Sequence, residues 1–155
     1  MKEIKISLDM IENARIKSEE MGRLRNSILK GGGNLAGFIG EQIALEYLGG
    51  TWHNTYSYDI VLPNGEKVDV KTKQTSVKPL PNYDCSISNY NTKQSCDMYA
   101  FVRVKNDLTV GWYLGSMDKK EYFEKATFIK KGDVDPSNNY TARSDCYNIK
   151  IEDLN

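Results

Sequence analysis

The sequence predicts an α+β fold in which helices come first and a mixed, mostly antiparallel sheet flanked by helices follows. Apolar residues recur at helical spacing before residue 48, and apolar and polar residues alternate after residue 50. Gly49-Gly50 marks the change between the two patterns. With 155 residues, of which 39% are hydrophobic and 27% charged, the chain has the size and composition of one globular domain.

Charge, cysteine content and hydropathy exclude several classes of protein. Lys and Arg number 21, as do Asp and Glu, whereas a protein that coats nucleic acid non-specifically carries a basic excess. Three cysteines without a Cys-x-x-Cys pair suggest neither a disulfide framework nor a zinc site, and His53 is the only histidine. No run approaches the roughly 18 apolar residues that span a bilayer. The N-terminus lacks the apolar stretch of a secretory signal, so we expect a cytoplasmic protein that does not bind membranes.

Two helices are predicted in the first third of the chain. The first runs from Leu8 to Lys30 with Ser7 as its N-cap, and Lys17 interrupts its apolar stripe. This helix packs either on its own sheet or on a second subunit, so a homo-oligomer stays an open alternative. The second helix runs from Leu35 to Leu48 with Asn34 as its N-cap. Glycines inside this second helix cost about 1 kcal/mol each, which close packing against a sheet would offset.

The rest of the chain predicts strands at Thr51–Asn54, Ser57–Leu62, Glu66–Gln74, Met98–Val104, Leu108–Leu114, Ala126–Ile129 and Cys146–Ile151. A polar, turn-rich stretch separates the third strand from the fourth, and Asp118 begins a short helix that ends near Lys125. We therefore expect an N-terminal amphipathic helix over residues 1–30, a core over 34–129 and a C-terminal extension over 130–155.

Two aspartates are predicted to face each other across a hairpin. Residues 62–66 suit a type I turn in which Gly65 takes the left-handed conformation of a bulge. The resulting register places Asp59 opposite Asp69, with Lys71 on the same face and the apolar neighbours on the other. Carboxylates directly opposite lie roughly 4.5–5.5 Å apart at Cβ and repel each other unless a cation such as Mg²⁺ compensates.

The tripeptide Asp69-Val70-Lys71 is by itself a weak signal. The same acid-x-lysine pattern occurs at Glu3-Ile4-Lys5 and at Asp118-Lys119-Lys120, about as often as chance gives. Only the tripeptide at 69–71 lies on a predicted strand with a second aspartate facing it. On the hairpin alone, a solvated charged face explains these residues about as well as a metal site.

The second helix adds another acid, Glu41, on a part of the helix that can lie close to the sheet. A helix acid, a strand aspartate and a strand Asp-x-Lys in this order resemble the PD-(D/E)XK nuclease superfamily, which includes restriction endonucleases and Holliday-junction resolvases. The resemblance covers roughly residues 34 to 74. It matches Glu41 to the helix acid, Asp59 to the first motif aspartate, and Asp69 with Lys71 to the D-x-K motif.

The resemblance implies a restriction-endonuclease-like core that hydrolyses phosphodiesters, with DNA as the expected substrate. It implies Mg²⁺, which Mn²⁺ would replace, held by the three acids and the Val70 carbonyl, while Lys71 activates water. Gln74 is a further expected active-site residue. Lys67, Lys73 and Lys78 are expected to contact the nucleic-acid backbone.

Two alternatives stay open. The first is a non-catalytic nucleic-acid-binding or assembly protein that keeps this fold for its shape. The second is an unrelated small α+β interaction domain in which the acidic pair only decorates the surface. Tyr58 stands where the motif often has a proline before its aspartate. The sequence does not choose between cleavage at ends, at junctions or within duplexes.

Overall fold

The computed structural model describes residues 1–22, 32–53 and 55–155. Within these ranges the helices are α1 (Leu8–Gly22), α2 (Gly32–Leu48) and α3 (Lys119–Lys125). The strands are β1 (Lys2–Lys5), β2 (Thr51–Trp52), β3 (Ile60–Val61), β4 (Lys67–Thr75), β5 (Asp84–Ser88), β6 (Met98–Lys105), β7 (Val110–Asp118), β8 (Thr127–Ile129), β9 (Val134–Asp135), β10 (Tyr140–Thr141) and β11 (Cys146–Lys150). None of the helices in the described ranges is both long and apolar enough to cross a membrane.

Six strands form the main sheet in the order β1-β7-β6-β4-β3-β2. Strands β4 and β6 run parallel, and the other neighbours run antiparallel. Parallel strands need a long crossover, and residues 76–97 supply it. The expectation of an α+β fold with a mixed, mostly antiparallel sheet is therefore confirmed.

Helices α1 and α2 cover one face of this sheet. Ile39 and Ile43 of α2 are fully buried in one apolar cluster with Val68 of β4. Helix α1 lies on α2, where the Gln42 side-chain amide donates to the Met10 carbonyl over 2.8 Å. The first helix therefore packs within its own chain, mainly against the second helix.

A second, three-stranded sheet in the order β5-β11-β8 covers the other face together with α3. Tyr122 of α3 is fully buried there, and its hydroxyl donates to the Cys85 carbonyl over 2.8 Å. Residues 130–155, which we expected to form an extension, contribute the central strand β11 and the buried residues Ile149 and Ile151. The sequence did not predict this sheet, because β5 lies in the stretch expected to be turn-rich.

The observed helix boundaries show which of the predicted capping residues are correct. The Ser7 hydroxyl accepts from the Met10 amide, as predicted for an N-cap, and Asp118 caps α3 in the same way. The N-cap predicted at Asn34 is wrong, because α2 already begins at Gly32, despite the low helix propensity of glycine. Residues 23–30 of the predicted first helix, and Asn54 of the first predicted strand, lie outside the described residues.

The hairpin of β3 and β4 has the predicted register at Ile60 and Val68, which are cross-strand partners. Gly65 has a φ of 89°, the left-handed conformation that the bulge requires. The predicted pairing of Asp59 with Asp69 is absent from the ladder, because β3 begins only at Ile60 and the Asp59 amide donates to the Val68 carbonyl over 2.8 Å.

Gly40 provides a test of the contact between α2 and the sheet. A Cβ on Gly40 would lie 1.9 Å from Thr72 Oγ1 and 2.8 Å from Thr72 Cβ, which no side-chain rotation moves. Gly40→Ala should therefore lower the free energy of unfolding by about 1–3 kcal/mol. Gly37→Ala, in the same helix with nothing within 4 Å, should raise it by up to about 1 kcal/mol. Urea unfolding measures both values, and equal stabilisation by the two variants would contradict the close contact.

Candidate functional site

Three acids from separate parts of the fold come together beside β4. Glu41 lies on α2, Asp59 precedes β3 and Asp69 lies on β4. Each of these carboxylates acts electrostatically on at least one other. Glu41 is 9% exposed and Asp69 is 4% exposed, so water screens their repulsion poorly. The structure thus brings together the three acids that the sequence singled out.

Glu41 is held where α2 meets the sheet. The indole Nε1 of Trp52 donates to Glu41 Oε2 over 2.6 Å. Lys17 of α1 lies over that indole, with Nζ 3.4 Å from the ring centroid, and it attracts both Glu41 and Asp59. Lys17 therefore interrupts the apolar stripe of α1 because it faces the acids.

Along part of β4, the Asp59 side chain accepts a backbone hydrogen bond that a neighbouring strand would otherwise accept. Its Oδ2 accepts from the Val70 amide over 2.7 Å, where β3 no longer pairs with β4. In an extended strand the N–H and C=O of one residue point to the same side. The Val70 carbonyl, predicted as a metal ligand, therefore points to the edge of β4 on which Asp59 lies.

Asp69 belongs to a small network with Lys71 and Gln94. Lys71 Nζ lies 2.7 Å from Asp69 Oδ2 and donates to Gln94 Oε1 over 3.1 Å. Gln94 Nε2 in turn donates to Asp69 Oδ1 over 3.2 Å and to the Tyr56 carbonyl over 2.7 Å. Asp69 Oδ2 is buried, and among the described residues its close partner is the Lys71 ammonium.

Burial raises the pKa of all three acids, and repulsion by neighbouring carboxylates adds to the shifts of Glu41 and Asp59. The pKa of Glu41 rises to about 8, first because of burial and then because of Asp59. The pKa of Asp59 rises to about 7 through burial and the charge of Asp69. Burial also raises the pKa of Asp69, although Lys71 opposes that shift. Removing a carboxylate from water disfavours its charged form, so at neutral pH the cluster favours either bound protons or a bound cation.

The donor set fits a hard divalent cation in its chemistry. Carboxylate and carbonyl oxygens suit Mg²⁺, which is usually held by one or two carboxylates together with water. Asp69 Oδ2, which the Lys71 ammonium contacts at 2.7 Å, is a buried anionic oxygen that such an ion would also attract. Among the residues that the structure describes, no three His, Cys, Asp or Glu side chains form a group that could hold a metal ion as they stand.

The remaining predicted residues lie at different distances along β4 from this cluster. Gln74 is exposed and lies on the opposite face of β4 from Lys71, so the structure does not bring it to the acids. Lys67 is exposed at the start of β4, and Lys78 is exposed beyond its end. Lys73 lines a cavity that also includes Lys71. Contact of these lysines with nucleic acid stays a prediction.

Sequence reasoning missed four residues that touch the network. Trp52 and Lys17 surround Glu41, while Gln94 joins Asp69 to Lys71, and Lys119 donates to the Gln94 carbonyl. The break in the α1 stripe was a signal for Lys17. Gln94 lies in a polar stretch without periodicity, so nothing local distinguishes it from a solvated glutamine.

No protein-family model matches the chain, and no curated protein matches it either. The resemblance to the PD-(D/E)XK nucleases therefore continues to rest on the residue pattern and stays a prediction.

The raised pKa values predict how stability depends on pH in the absence of metal. Above about pH 4 the unfolded chain loses protons that the folded cluster keeps, so the free energy of unfolding should fall until about pH 8. Glu41→Gln removes one of these groups. The variant should match the wild type near pH 4 and exceed its stability by on the order of 3 kcal/mol above pH 8.

Urea unfolding in EDTA across this pH range measures the difference. The exposed Glu46 on the same helix provides the control substitution, Glu46→Gln. A control that changes the pH profile as much as Glu41→Gln does would contradict the role of the buried cluster.

Proposed function

We propose that this chain is a metal-dependent phosphodiesterase of the PD-(D/E)XK type that acts on nucleic acid, with DNA as the expected substrate. One observation carries the proposal: Glu41, Asp59 and Asp69 interact beside β4, with Lys71 in ionic contact with Asp69. These residues come from α2, the segment before β3, and β4 itself. Their order and types are those of the superfamily motif.

Burial argues against the acidic pair as surface decoration. A solvated charged face would leave its carboxylates in water, where repulsion is screened and no pKa is displaced. Asp69 is instead 4% exposed, and burial is the largest cause of the raised pKa of each of the three acids. Such an arrangement lowers the stability of the metal-free protein, which is typical of residues kept for chemistry.

The site residues have two proposed roles, namely holding a cation and positioning the water that attacks the phosphodiester. Glu41, Asp59, Asp69 and the Val70 carbonyl would hold Mg²⁺. When bound, the ion polarises the phosphodiester and lowers the pKa of a coordinated water. The Lys71 ammonium orients the attacking water and offsets the negative charge that develops on the phosphate. Gln94 is a positioning residue, because it fixes both Lys71 and Asp69.

Cleavage assays test the proposal directly. Wild-type protein should hydrolyse at least one of plasmid, single-stranded or branched DNA with Mg²⁺ or Mn²⁺, leaving 5′-phosphate and 3′-hydroxyl ends. Asp69→Asn and Lys71→Met should each lower the rate by at least about a hundredfold, because each removes charge that acts on the transition state. Gel analysis of end-labelled substrate measures the rate and identifies the ends.

Asp107→Asn is a matched control, since Asp107 also forms an ion pair with a lysine two residues away, Lys105, but on an exposed turn. Equal loss in the control and in Asp69→Asn would contradict the assignment. Binding of DNA without cleavage of any substrate would favour the non-catalytic alternative.

Metal binding has a separate readout in thermal stability. Mg²⁺ at a hundredfold excess over its Kd should stabilise the wild type by about 2.7 kcal/mol. Asp59→Asn should lose this response and, without metal, should be more stable than the wild type above pH 7, because it removes a charge that Asp69 repels. Differential scanning fluorimetry with and without Mg²⁺ measures both effects. An unchanged Mg²⁺ response in Asp59→Asn would exclude that carboxylate as a ligand.

A further inference from the structure

A cavity of about 350 Å³ lies between the main sheet and the second sheet, on the same face of β4 as Lys71. Its floor is apolar and includes Phe101 and Leu114. Its basic lining consists of Lys71, Lys73, Arg103 and Arg143. We call this the basic cavity, and it begins where the acidic cluster ends, because Lys71 borders both.

The basic cavity contains two cations side by side. Lys73 of β4 and Arg103 of β6 are direct partners in the parallel ladder. Like charges in that position destabilise a sheet. Burial and then the charge of Arg103 lower the pKa of Lys73, and Arg103 itself is only 7% exposed. The pair therefore lowers the stability of the protein unless an anion lies beside it.

Among the described residues, the Asp84 carboxylate attracts both Lys73 and Arg103 but forms no ion pair with either. Asp84 also lines the basic cavity, but its carboxylate is engaged by Lys150 at 2.6 Å. In the described ranges no carboxylate forms an ion pair with Lys73, Arg103 or Arg143. The Arg103 Nη2 donates a hydrogen bond to the Asp84 backbone carbonyl, a neutral partner, over 2.9 Å. The basic cavity thus presents positive charge that Asp84, shared with Lys150, compensates only in part, above an apolar floor.

We propose that the basic cavity binds one nucleotide of a nucleic-acid strand, with its phosphate on Lys73 and Arg103 and its base or sugar on the apolar floor. This inference rests on the proposed function, because it places the neighbouring phosphodiester at Lys71. Lys71 and Lys73 are separated by roughly 6.6 Å along the strand, which suits consecutive phosphates of an extended chain. The volume lies in the range of pockets for small organic ligands, so it exceeds the needs of a bare phosphate ion.

Binding measured without metal tests the inference independently of cleavage. The experiment uses fluorescence anisotropy of a labelled single-stranded oligonucleotide in EDTA, with deoxythymidine monophosphate as a competitor. Lys73→Gln/Arg143→Gln removes two exposed side chains of the basic cavity and leaves Arg103 in place. Lys5→Gln/Lys130→Gln, which removes two exposed lysines elsewhere, is matched in net charge. The charge-preserving variant Lys73→Arg shows whether positive charge alone suffices.

The cavity variant should bind the oligonucleotide about tenfold more weakly than the matched control. The slope of log K against log salt should fall by roughly 0.7 for each phosphate that the variant no longer neutralises. Lys73→Arg should keep most of the affinity, and the monophosphate should compete with the oligonucleotide only when the cavity is intact. Thermal unfolding of each variant confirms that the fold is retained.

Three results would overturn the inference: equal reductions of affinity in the cavity variant and the matched control, full affinity in the cavity variant, or binding of the free monophosphate that leaves oligonucleotide binding unaffected. The outcome is separable from the proposed function. A wild-type protein that cleaves DNA while the cavity variant binds normally refutes the cavity alone. A wild-type protein that cleaves nothing, with binding still weakened in the cavity variant, supports the nucleotide site and refutes the nuclease.

Discussion

The site depends on the difference in length between β3 and its neighbour β4. Strand β4 is nine residues long, whereas β3 pairs with it only at Ile60 and Val61, so no strand of the described residues pairs with the rest of that β4 edge. The Asp59 carboxylate accepts the Val70 amide there and keeps a backbone donor satisfied. This one hydrogen bond fixes Asp59 beside β4, points the Val70 carbonyl to the same side and brings Asp59 within electrostatic range of Asp69.

Two groups of like charges lie beside this strand, and Lys71 separates them. On one side Asp59 and Asp69 raise the pKa of Glu41 and Asp69 raises that of Asp59, and on the other side Lys73 lies directly beside Arg103. Each group alone destabilises the fold, since neither finds full compensation among the described residues. A cation together with a phosphate would neutralise both groups in one step. Charge complementarity of this kind favours a metal-bound polyanion over either ligand alone.

The parts that the sequence predicted are those governed by local chemistry. Gly65 and the alternation around Val68 fix the hairpin register, because both act within a few residues. Gln94 and Asp69 are 25 positions apart in the sequence, and the paired strands β5 and β11 are further apart still. A pattern of neighbouring residues therefore could not predict either contact. Strand β5 alternates cysteine and isoleucine with aspartate and serine, and only this short alternation distinguishes it from the turn-favouring residues around it.

Gly40 belongs to the site although it carries no functional group. It precedes Glu41 on α2, and its missing side chain lets the helix approach Thr72, the residue after Lys71 on β4. The contact between these two neighbours therefore sets the distance from the helix acid to Asp69 and Lys71. An added methyl group would push α2 from β4 and move Glu41 with it. A displacement of the reacting groups by about 1 Å can lower a reaction rate by about a hundredfold. The proposed cleavage of nucleic acid should consequently be more sensitive to the volume at residue 40 than stability is.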